Sequence, residues 1–260
     1  MGGSAGQGAA PGPATFRQLA LPFAHRPAFE RADLIATAGN AAALAWLEPG
    51  AHRSWPSRRL ALSGPAGSGK THLLHVWAAE QDAVLIPGTA LDHGASALVP
   101  FADRRPVAVD DADTAPDQRA LLHLLNAARD NGVPLLITAR EPPSRWIAAR
   151  HPAPLPDLGS RLRATHAVPI DPPTDATLRL LLCRLLVERQ LSAPPTVLDW
   201  ILSRLPRDPA TLRDAARRLD EAALATGRPI SRALAAAVLP DLLPPADDPA
   251  DPPGTERYLF

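Results

Sequence analysis

The stretch "GPAGSGKT", Gly64 to Thr71, decides the fold of this chain. It satisfies the pattern G-x-x-x-x-G-K-[ST] at every specified position. An apolar predicted strand, residues 59–64, leads into it, and a predicted helix, residues 69–81, follows. A phosphate-binding loop requires this order of strand, loop and helix. The alternative, an ordinary glycine turn between strand and helix, explains neither the lysine nor the hydroxyl residue after it.

The loop residues have predicted roles in holding phosphate groups. Glycines let successive backbone N–H groups converge on phosphate oxygens at the start of a helix, whose dipole favours anions. Lys70 is predicted to reach the terminal phosphates and the Thr71 hydroxyl to bind Mg²⁺. The predicted phosphate-binding residues are Gly64, Pro65, Ala66, Gly67, Ser68, Gly69, Lys70 and Thr71.

The composition singles out the same lysine. Among 27 basic residues, Lys70 is the one lysine, and the others are arginines. This looks like a coding bias that replaces lysine by arginine wherever chemistry permits. A planar guanidinium does not substitute for the compact ammonium of a phosphate loop. The retained lysine therefore supports the prediction independently of the pattern.

The third predicted strand along the chain, residues 106–113, contains paired carboxylates. "VAVDD", Val107 to Asp111, follows the phosphate loop after one crossover. Asp110 is predicted to face the metal ion, and Asp111 to orient or deprotonate an attacking water. Aspartates are common after strands, so the position relative to the phosphate loop carries this prediction.

The bulk composition limits the class of protein. The chain has 260 residues, 46% of them apolar, and its formal net charge is zero. This balance argues against a main role in non-specific binding of nucleic acid or membranes. A single cysteine, Cys183, excludes an internal disulfide and a cysteine-based metal cluster. Without a signal peptide or a long apolar run, the chain is expected to be cytoplasmic.

Alternating patterns predict an α/β domain with a parallel sheet covered by helices on both faces, followed by a small all-helical lid. Further strands are predicted at residues 83–88, 106–113, 133–139 and 164–170, and further helices at 40–47, where Asn40 is a candidate N-cap, and 117–130. The lid helices are predicted at 174–190, 194–205, 208–226 and 231–239, the last capped by Ser231. The predicted domains are a flexible tail, 1–15; a linear motif, 16–25; the α/β domain, 26–170; the lid, 171–240; and an acidic, proline-rich tail, 241–260.

The chain resembles the DnaA family of AAA+ proteins. "GPAGSGKTHLLH" resembles the family's Walker A segment, including the trailing Thr-His-Leu-Leu-His. Further resemblances follow in the family's order and cover about residues 28–240. "AFERADLIATAGNAAAL" resembles the family's segment beside the adenine site, and "LLITAREPPSRW" resembles its sensor 1 strand. "LPDLGSRL" resembles the box that carries the arginine finger, and "PATLRDAARRLDEA" resembles the sensor 2 helix.

The resemblance implies ATP or ADP as cofactor and assigns roles to individual residues. Arg161 would be an arginine finger that reaches a neighbouring subunit's γ-phosphate, and Arg213 would be sensor 2. Thr138 lies on the sensor 1 strand, and His72 belongs to the Walker A segment. Where the family has a polar or acidic residue shortly after this strand, the chain has Arg140. That departure leaves hydrolysis by the chain itself open.

DnaA, the bacterial replication initiator, has DNA-binding segments that have no counterpart in this sequence. About twenty acidic and proline-rich residues follow Leu239, where the family carries a helix-turn-helix domain. The segment between the second and third strands is also short. We therefore expect no sequence-specific DNA binding. The Hda regulators, AAA+ members of the DnaA family, share this arrangement.

A linear motif precedes the α/β domain. "RQLALPF", Arg17 to Phe23, matches the short motifs that bind the bacterial sliding clamp. The predicted clamp-binding residues are Gln18, Leu19, Leu21, Pro22 and Phe23. The alternative is a short strand or packing segment against the α/β domain.

These resemblances predict a negative regulator of replication initiation. It would bind adenine nucleotide and the sliding clamp, associate with the replisome and nucleoid, and stimulate ATP hydrolysis by DnaA through Arg161. The resemblance also leaves a homo-oligomer open. One alternative is an autonomous AAA+ ATPase resembling a helicase loader. Another is an interaction adaptor in which nucleotide is structural.

Overall fold

The computed structural model describes residue 31 and residues 34–92, 103–150 and 155–242; of residues 147–150 only the backbone is described. The predicted tail 1–15 and the predicted clamp motif 16–25, with Gln18, Leu19, Leu21, Pro22 and Phe23, lie outside the described residues. Most of the predicted tail 241–260 lies outside them as well.

Five parallel strands form one sheet in the described part of the chain, as predicted. They are β1 (Arg59–Ser63), β2 (Val84–Pro87), β3 (Val107–Asp110), β4 (Leu135–Ala139) and β5 (His166–Pro169). Their order across the sheet is β2-β3-β4-β1-β5. The register places Leu62 of β1 opposite Thr138 of β4. The carboxyl end of β1, which leads into the phosphate loop, therefore lies beside the carboxyl ends of β4 and β5.

The helices of the described residues are α1 (Ala41–Trp46), α2 (Lys70–Glu80), α3 (Gln118–Asp130), α4 (Pro143–Arg150), α5 (Pro156–Arg163), α6 (Asp175–Val187), α7 (Pro195–Leu202), α8 (Pro209–Thr226) and α9 (Arg232–Val238). Seven of the nine helices in the described residues lie close to their predicted positions, and α4 and α5 were not predicted. Short 3-10 turns occupy Ala51–Ser54, Pro56–Arg58, Gly88–Ala90 and Ala112–Thr114. None of the described helices is long and apolar enough to cross a lipid bilayer.

The central strand β1 is buried on both faces, as expected for a parallel sheet covered by helices. Leu60 and Leu62 pack on one face with Trp77 of α2. Ala61 points to the other face and packs with residues of α3 and α5. This alternation, with a period of two residues, divides the core of the α/β part into two layers.

The helices α6 to α9 form a lid with its own apolar core. Leu182, Ile201 and Leu219 are fully buried within it. The α8 helix begins at Asp208, whose side chain accepts a hydrogen bond from the Thr211 N–H at 2.9 Å. Ser231 caps α9 as predicted, accepting a hydrogen bond from the Leu234 N–H. These caps satisfy N–H groups that a helix start otherwise leaves unpaired.

Two tryptophans stack beneath the phosphate-loop helix. Trp77 of α2 and Trp55 have ring centroids 5.3 Å apart, and both rings are buried. The indole N–H of Trp55 donates to the carbonyl oxygen of Trp46 at 3.0 Å. This stack fixes α2 against the segment that leads into β1.

That segment enters β1 through an unusual turn. Ser57 and Arg58 both have a positive φ, 51° and 59°. Residues other than glycine adopt this conformation infrequently. Arg59 follows at the amino end of β1, and its side chain is only 1% exposed. The turn thus delivers an arginine into the interior.

Candidate functional site

The phosphate loop connects Ser63, the last residue of β1, to Lys70, the first residue of α2. Gly67 and Gly69 have φ of 75° and 95°, a conformation that glycine adopts without steric cost. The loop therefore turns tightly into the start of α2, whose first N–H groups have no partner within the helix.

Lys70 lies inside the curve of this loop. Its Nζ donates to the carbonyl oxygens of Gly64 and Pro65, each at 2.8 Å, and to the Ser68 hydroxyl at 3.4 Å. Burial lowers the pKa of the Lys70 ammonium, and the nearby carboxylates of Asp111 and Asp110 oppose that change. A buried ammonium held by neutral oxygens is well suited to receive an anion.

Three elements meet at the carboxylate of Asp110. The Thr138 hydroxyl of β4 donates to Asp110 Oδ1 at 2.6 Å, and the Thr71 hydroxyl of α2 donates to the same oxygen at 3.1 Å. Thr138 is fully buried, and its oxygen also accepts a hydrogen bond from the Asp111 N–H at 2.8 Å. Thr138 thus positions both aspartates, and the structure brings four of the predicted residues together.

Asp111 has an unusual backbone and a perturbed carboxyl group. Its φ of 49° and ψ of 50° are left-handed, a region that aspartate tolerates better than most residues. Burial raises the pKa of the Asp111 carboxyl, the charges of Asp110 and Asp113 raise it further, and Lys70 and Arg140 oppose this. A raised pKa moves a carboxylate toward the proton affinity that a general base requires.

The oxygen atoms of Thr71 and Asp110 fit a bound Mg²⁺. This ion prefers hard oxygen ligands and takes few of them from the protein, since phosphates and water complete its shell. Among the described residues no group of three or more histidine, cysteine or carboxylate side chains could hold a metal ion alone. The chemistry of the donor set therefore agrees with an ion that arrives with a nucleotide.

A cavity of about 330 Å³ adjoins the loop. The phosphate loop, the segment before α1 and the lid all contribute to it. Its lining residues are Leu34, Ile35, Asn40, Gly67, Ser68, Gly69, Lys70, Thr71, His72, Leu73, Pro173, Thr177, Leu178, Leu181, Asp208, Pro209, Ala210 and Arg213. The predicted residues His72 and Arg213 are thus placed in the same cavity as the loop, Arg213 from the lid.

Several of the residues that line this cavity are apolar. Leu34 and Ile35 contribute to it from the α/β part, and Leu181 from the lid. Asn40 occupies the N-cap position of α1, as predicted, but its side chain makes no cap hydrogen bond. Instead it accepts from the Thr37 N–H at 2.8 Å and donates to the Ile35 carbonyl at 2.9 Å. These two bonds use the Asn40 side chain in place of a cap hydrogen bond. Asn40, which lines the cavity, therefore holds the segment before α1 in position.

The lid touches the phosphate loop directly. A Cβ atom added to Gly67 would lie 2.9 Å from the carboxylate of Asp208 and 3.0 Å from the ring of Pro209. Sequence reasoning missed this contact and the lid residues Thr177 and Leu181, because helical periodicity does not show how two parts of a chain pack.

Arg161 is not brought to this cavity. It lies in the last turn of α5, just before β5, and the start of β5 pairs with the start of β1, His166 opposite Leu60. The side chain is partly buried, and its charge acts on Arg59 at the amino end of β1. Since β1 rises about 3.3 Å per residue, roughly 13 Å of strand separates Arg59 from the start of the loop.

No protein-family model matches the chain. An uncharacterized protein of Haemophilus influenzae is 26% identical over 175 residues, which cover 64% of this chain and 74% of that protein. Domain III of the replication initiation protein DnaA from Thermotoga maritima superposes with a TM-score of 0.67 and 21% identity, covering 85% of this chain and 99% of that domain.

Two further solved structures are similar. RuvB of Thermotoga maritima superposes with a TM-score of 0.64 and 17% identity, covering 83% of this chain and 72% of RuvB. AMPPCP-bound DnaA of Aquifex aeolicus superposes with a TM-score of 0.56 and 17% identity, covering 74% of this chain and 65% of that chain. This is the AAA+ fold. The superpositions show the fold. At identities this low they do not distinguish between the activities of DnaA and RuvB.

Proposed function

We propose that this AAA+ protein binds ATP or ADP, with Mg²⁺, in the cavity between the phosphate loop and the lid. Lys70 and the loop N–H groups would hold the phosphates, and Thr71 and Asp110 would hold the metal ion. The apolar lining residues Leu34, Ile35 and Leu181 suit a purine ring. Mg²⁺ would neutralise charge on the phosphates. The similarity to DnaA solved with AMPPCP supports this assignment.

We further propose that the chain regulates DNA replication negatively by activating ATP hydrolysis on DnaA. One observation carries this proposal: the position and isolation of Arg161. It lies at the amino edge of the sheet, away from the cavity, and its guanidinium has no carboxylate or hydrogen-bond partner among the described residues. An arginine in this position is better placed to contact a nucleotide bound to a second protein than a nucleotide in the cavity of its own chain.

In this proposal Arg161 contributes charge and geometry rather than a reactive group. Its guanidinium offers five N–H donors in a rigid fork that matches phosphate oxygens. Pointed at the γ-phosphate on DnaA, it would stabilise the charge that spreads over that group in the transition state. The hydrolysis would occur on the partner, and this chain would keep its own nucleotide.

The proposed partner contacts include the sliding clamp. Gln18, Leu19, Leu21, Pro22 and Phe23 would form a peptide that enters an apolar pocket of the clamp. Each buried apolar side chain would stabilise the complex by about 1.5–3 kcal/mol before ordering costs, so a single peptide binds at roughly micromolar strength. The clamp would then hold the regulator near DnaA at the replisome.

The decisive experiment measures ATP hydrolysis by DnaA with clamp loaded on DNA. Purified wild-type chain should accelerate hydrolysis, and Arg161→Ala should lose about 10³-fold or more of the acceleration. Arg163→Ala is the matched control, because Arg163 is exposed on the same helix. Equal acceleration by wild type and Arg161→Ala would contradict the finger, and no acceleration by wild type would contradict the regulator.

A separate measurement tests the clamp motif. Surface plasmon resonance should show binding of the intact chain to the sliding clamp and its loss in a Gln18→Ala, Leu21→Ala, Phe23→Ala variant. Circular dichroism of both chains establishes that the variant is folded. Absence of binding by the intact chain would reject the motif.

One observation favours a second candidate, an autonomous AAA+ ATPase that loads or remodels a replication component. Asp111, with its raised pKa, and Thr138 supply the groups that hydrolysis in the chain's own site requires. ATP turnover by the purified chain alone, lost in Asp111→Asn and unchanged by the clamp-motif variant, would favour this function over regulation of DnaA.

A further inference from the structure

The amino edge of the sheet holds a buried arginine that the proposed function does not use. Arg59 is 1% exposed, and its Nε and Nη1 atoms are buried without a hydrogen-bond partner. Burying a guanidinium without a counter-charge is unfavourable, and unpaired buried N–H groups add to the cost. An arginine in this state is a candidate for binding an anion.

The surroundings of Arg59 add positive rather than negative charge. It shares the face of β1 with Ala61, which packs against α3 and α5. Burial lowers the pKa of its guanidinium, and the charges of Arg161 and Arg129 lower it further. No carboxylate in the described part of the chain offsets these effects. Arg129 and Arg161 lie in the last turns of α3 and α5, and the partial negative charge of a helix end stabilises a cation only weakly.

The two neighbouring arginines are not equivalent. Arg129 pairs with Asp130, its Nη2 lying 2.7 Å from a carboxylate oxygen. Arg161 has no such partner among the described residues. Arg161 lies on α5, which packs on the face of β1 that carries Arg59. Both guanidinium groups are without a counter-ion in the part of the chain that the structure describes.

We propose that Arg59 and Arg161 form a receptor for a phosphate-class oxyanion at the amino edge of the sheet, with Arg129 at its rim. Two guanidinium forks match the several oxygens of a tetrahedral anion, which can accept charge-assisted hydrogen bonds from both. The strained turn at Ser57 and Arg58 fixes the entry of Arg59 into the fold. The site is separate from the phosphate loop, at the opposite end of β1.

The test uses the chain alone, saturated with ADP and Mg²⁺ so that the phosphate loop is occupied. Thermal unfolding is followed as sodium phosphate replaces sodium chloride at constant ionic strength. Phosphate should raise the midpoint for wild type and for Arg163→Met. Arg59→Met should bind phosphate about ten-fold or more weakly, as expected for lost hydrogen bonds to a charged group. Arg161→Met should show an intermediate loss.

In the same measurements, the substitution at Arg59 should raise the unfolding midpoint when phosphate is absent. In chloride, Arg59→Met should unfold at a higher temperature than wild type, because an apolar side chain of similar size replaces an uncompensated buried charge. A midpoint that phosphate raises equally in wild type and Arg59→Met would overturn the proposal. So would a midpoint that phosphate and chloride affect equally in wild type.

The anion could be free phosphate or the terminal phosphate of a nucleotide on a second subunit. A second arm measures binding of wild type and Arg59→Met to DnaA loaded with ATP or with ADP. A preference for ATP-loaded DnaA that Arg59→Met loses assigns the site to the partner's nucleotide; an unchanged preference assigns it to free phosphate. Failure of DnaA to bind at all would count against the proposed function and leave the phosphate titration valid.

Discussion

The charged side chains at the two ends of the sheet differ in whether they have partners within the described residues. At the carboxyl end, Lys70 donates to carbonyl oxygens, Asp110 accepts from the Thr138 hydroxyl, and the Asp111 N–H donates to the oxygen of that hydroxyl. At the amino end, Arg59 is buried and Arg161 partly buried, and neither has a carboxylate partner in the described residues. The first arrangement is assembled by this chain alone. The second requires a counter-charge from another molecule.

This difference separates two kinds of site within one fold. Residues that bind the chain's own nucleotide should depend on local geometry and act in the isolated protein. Residues at the amino end should show their effects mainly when an anion or a partner is supplied.

The largest expected effect is on nucleotide binding. Lys70→Ala should weaken ADP binding by about 3 kcal/mol, slightly more than 100-fold, because a buried charged partner of the phosphates is removed. Isothermal titration calorimetry measures it. Arg59→Met, at the other end, should bind ADP as wild type does. A loss of ADP affinity in Arg59→Met would break the separation of the two ends.

The next effect is on stability at the carboxyl end. Thr138→Val should lower the free energy of unfolding by about 1–3 kcal/mol, because the Asp111 N–H loses its buried acceptor and Asp110 loses a donor. Urea unfolding followed by circular dichroism measures it. Thr226→Val is the control, because that exposed hydroxyl bonds only within its own helix. Equal losses in the two variants would show that the network does not hold the aspartates.

A smaller effect concerns the lid where it meets the loop. Asp208→Ala should lower stability by about 1 kcal/mol through loss of the α8 cap. Ser231→Ala removes a comparable cap from α9, away from the loop. Differential scanning calorimetry with and without ADP compares them. A change in ADP affinity is expected for Asp208→Ala and not for Ser231→Ala.

The smallest effect is a pH dependence at Asp111. Its pKa in the folded chain lies above the ordinary value of 3.8, so folding takes up protons between 3.8 and the raised pKa. The free energy of unfolding should therefore fall as pH rises through that window. Asp111→Asn lacks this loss, so wild type should become less stable relative to the variant as pH rises. Urea titrations of both chains across the window measure the stability of wild type minus that of the variant. A rise in this quantity with pH would contradict the raised pKa.

The sequence predicted most of the architecture because periodicity and the phosphate-loop pattern are local. The strands and the lid helices were found within a few residues, and Ser231 was identified as a cap. The helices α4 and α5 were missed, because both begin with a proline within stretches interpreted through resemblance to functional boxes. A proline at the first helical turn is compatible with a helix and could have signalled them.

The site was predictable where chemistry depends on one short segment. Lys70, Thr71 and Asp110 followed from such segments, and the structure places them together. Arg59 and the lid contact of Asp208 could not be found in this way. The first was read as an ordinary strand residue, and its burial depends on how α3 and α5 cover the sheet. The second depends on the packing of the lid, which no local pattern encodes.

The stacked tryptophans have a practical consequence. Trp77 lies about two turns after Lys70 on the same helix. Its ring is 1% exposed and rests on Trp55, which is 3% exposed. Indole fluorescence responds to the position and surroundings of the ring, so this pair is an intrinsic optical probe attached to the phosphate loop. Movement of α2 on nucleotide binding would change the emission of unlabelled protein, and unfolding would shift it to longer wavelength.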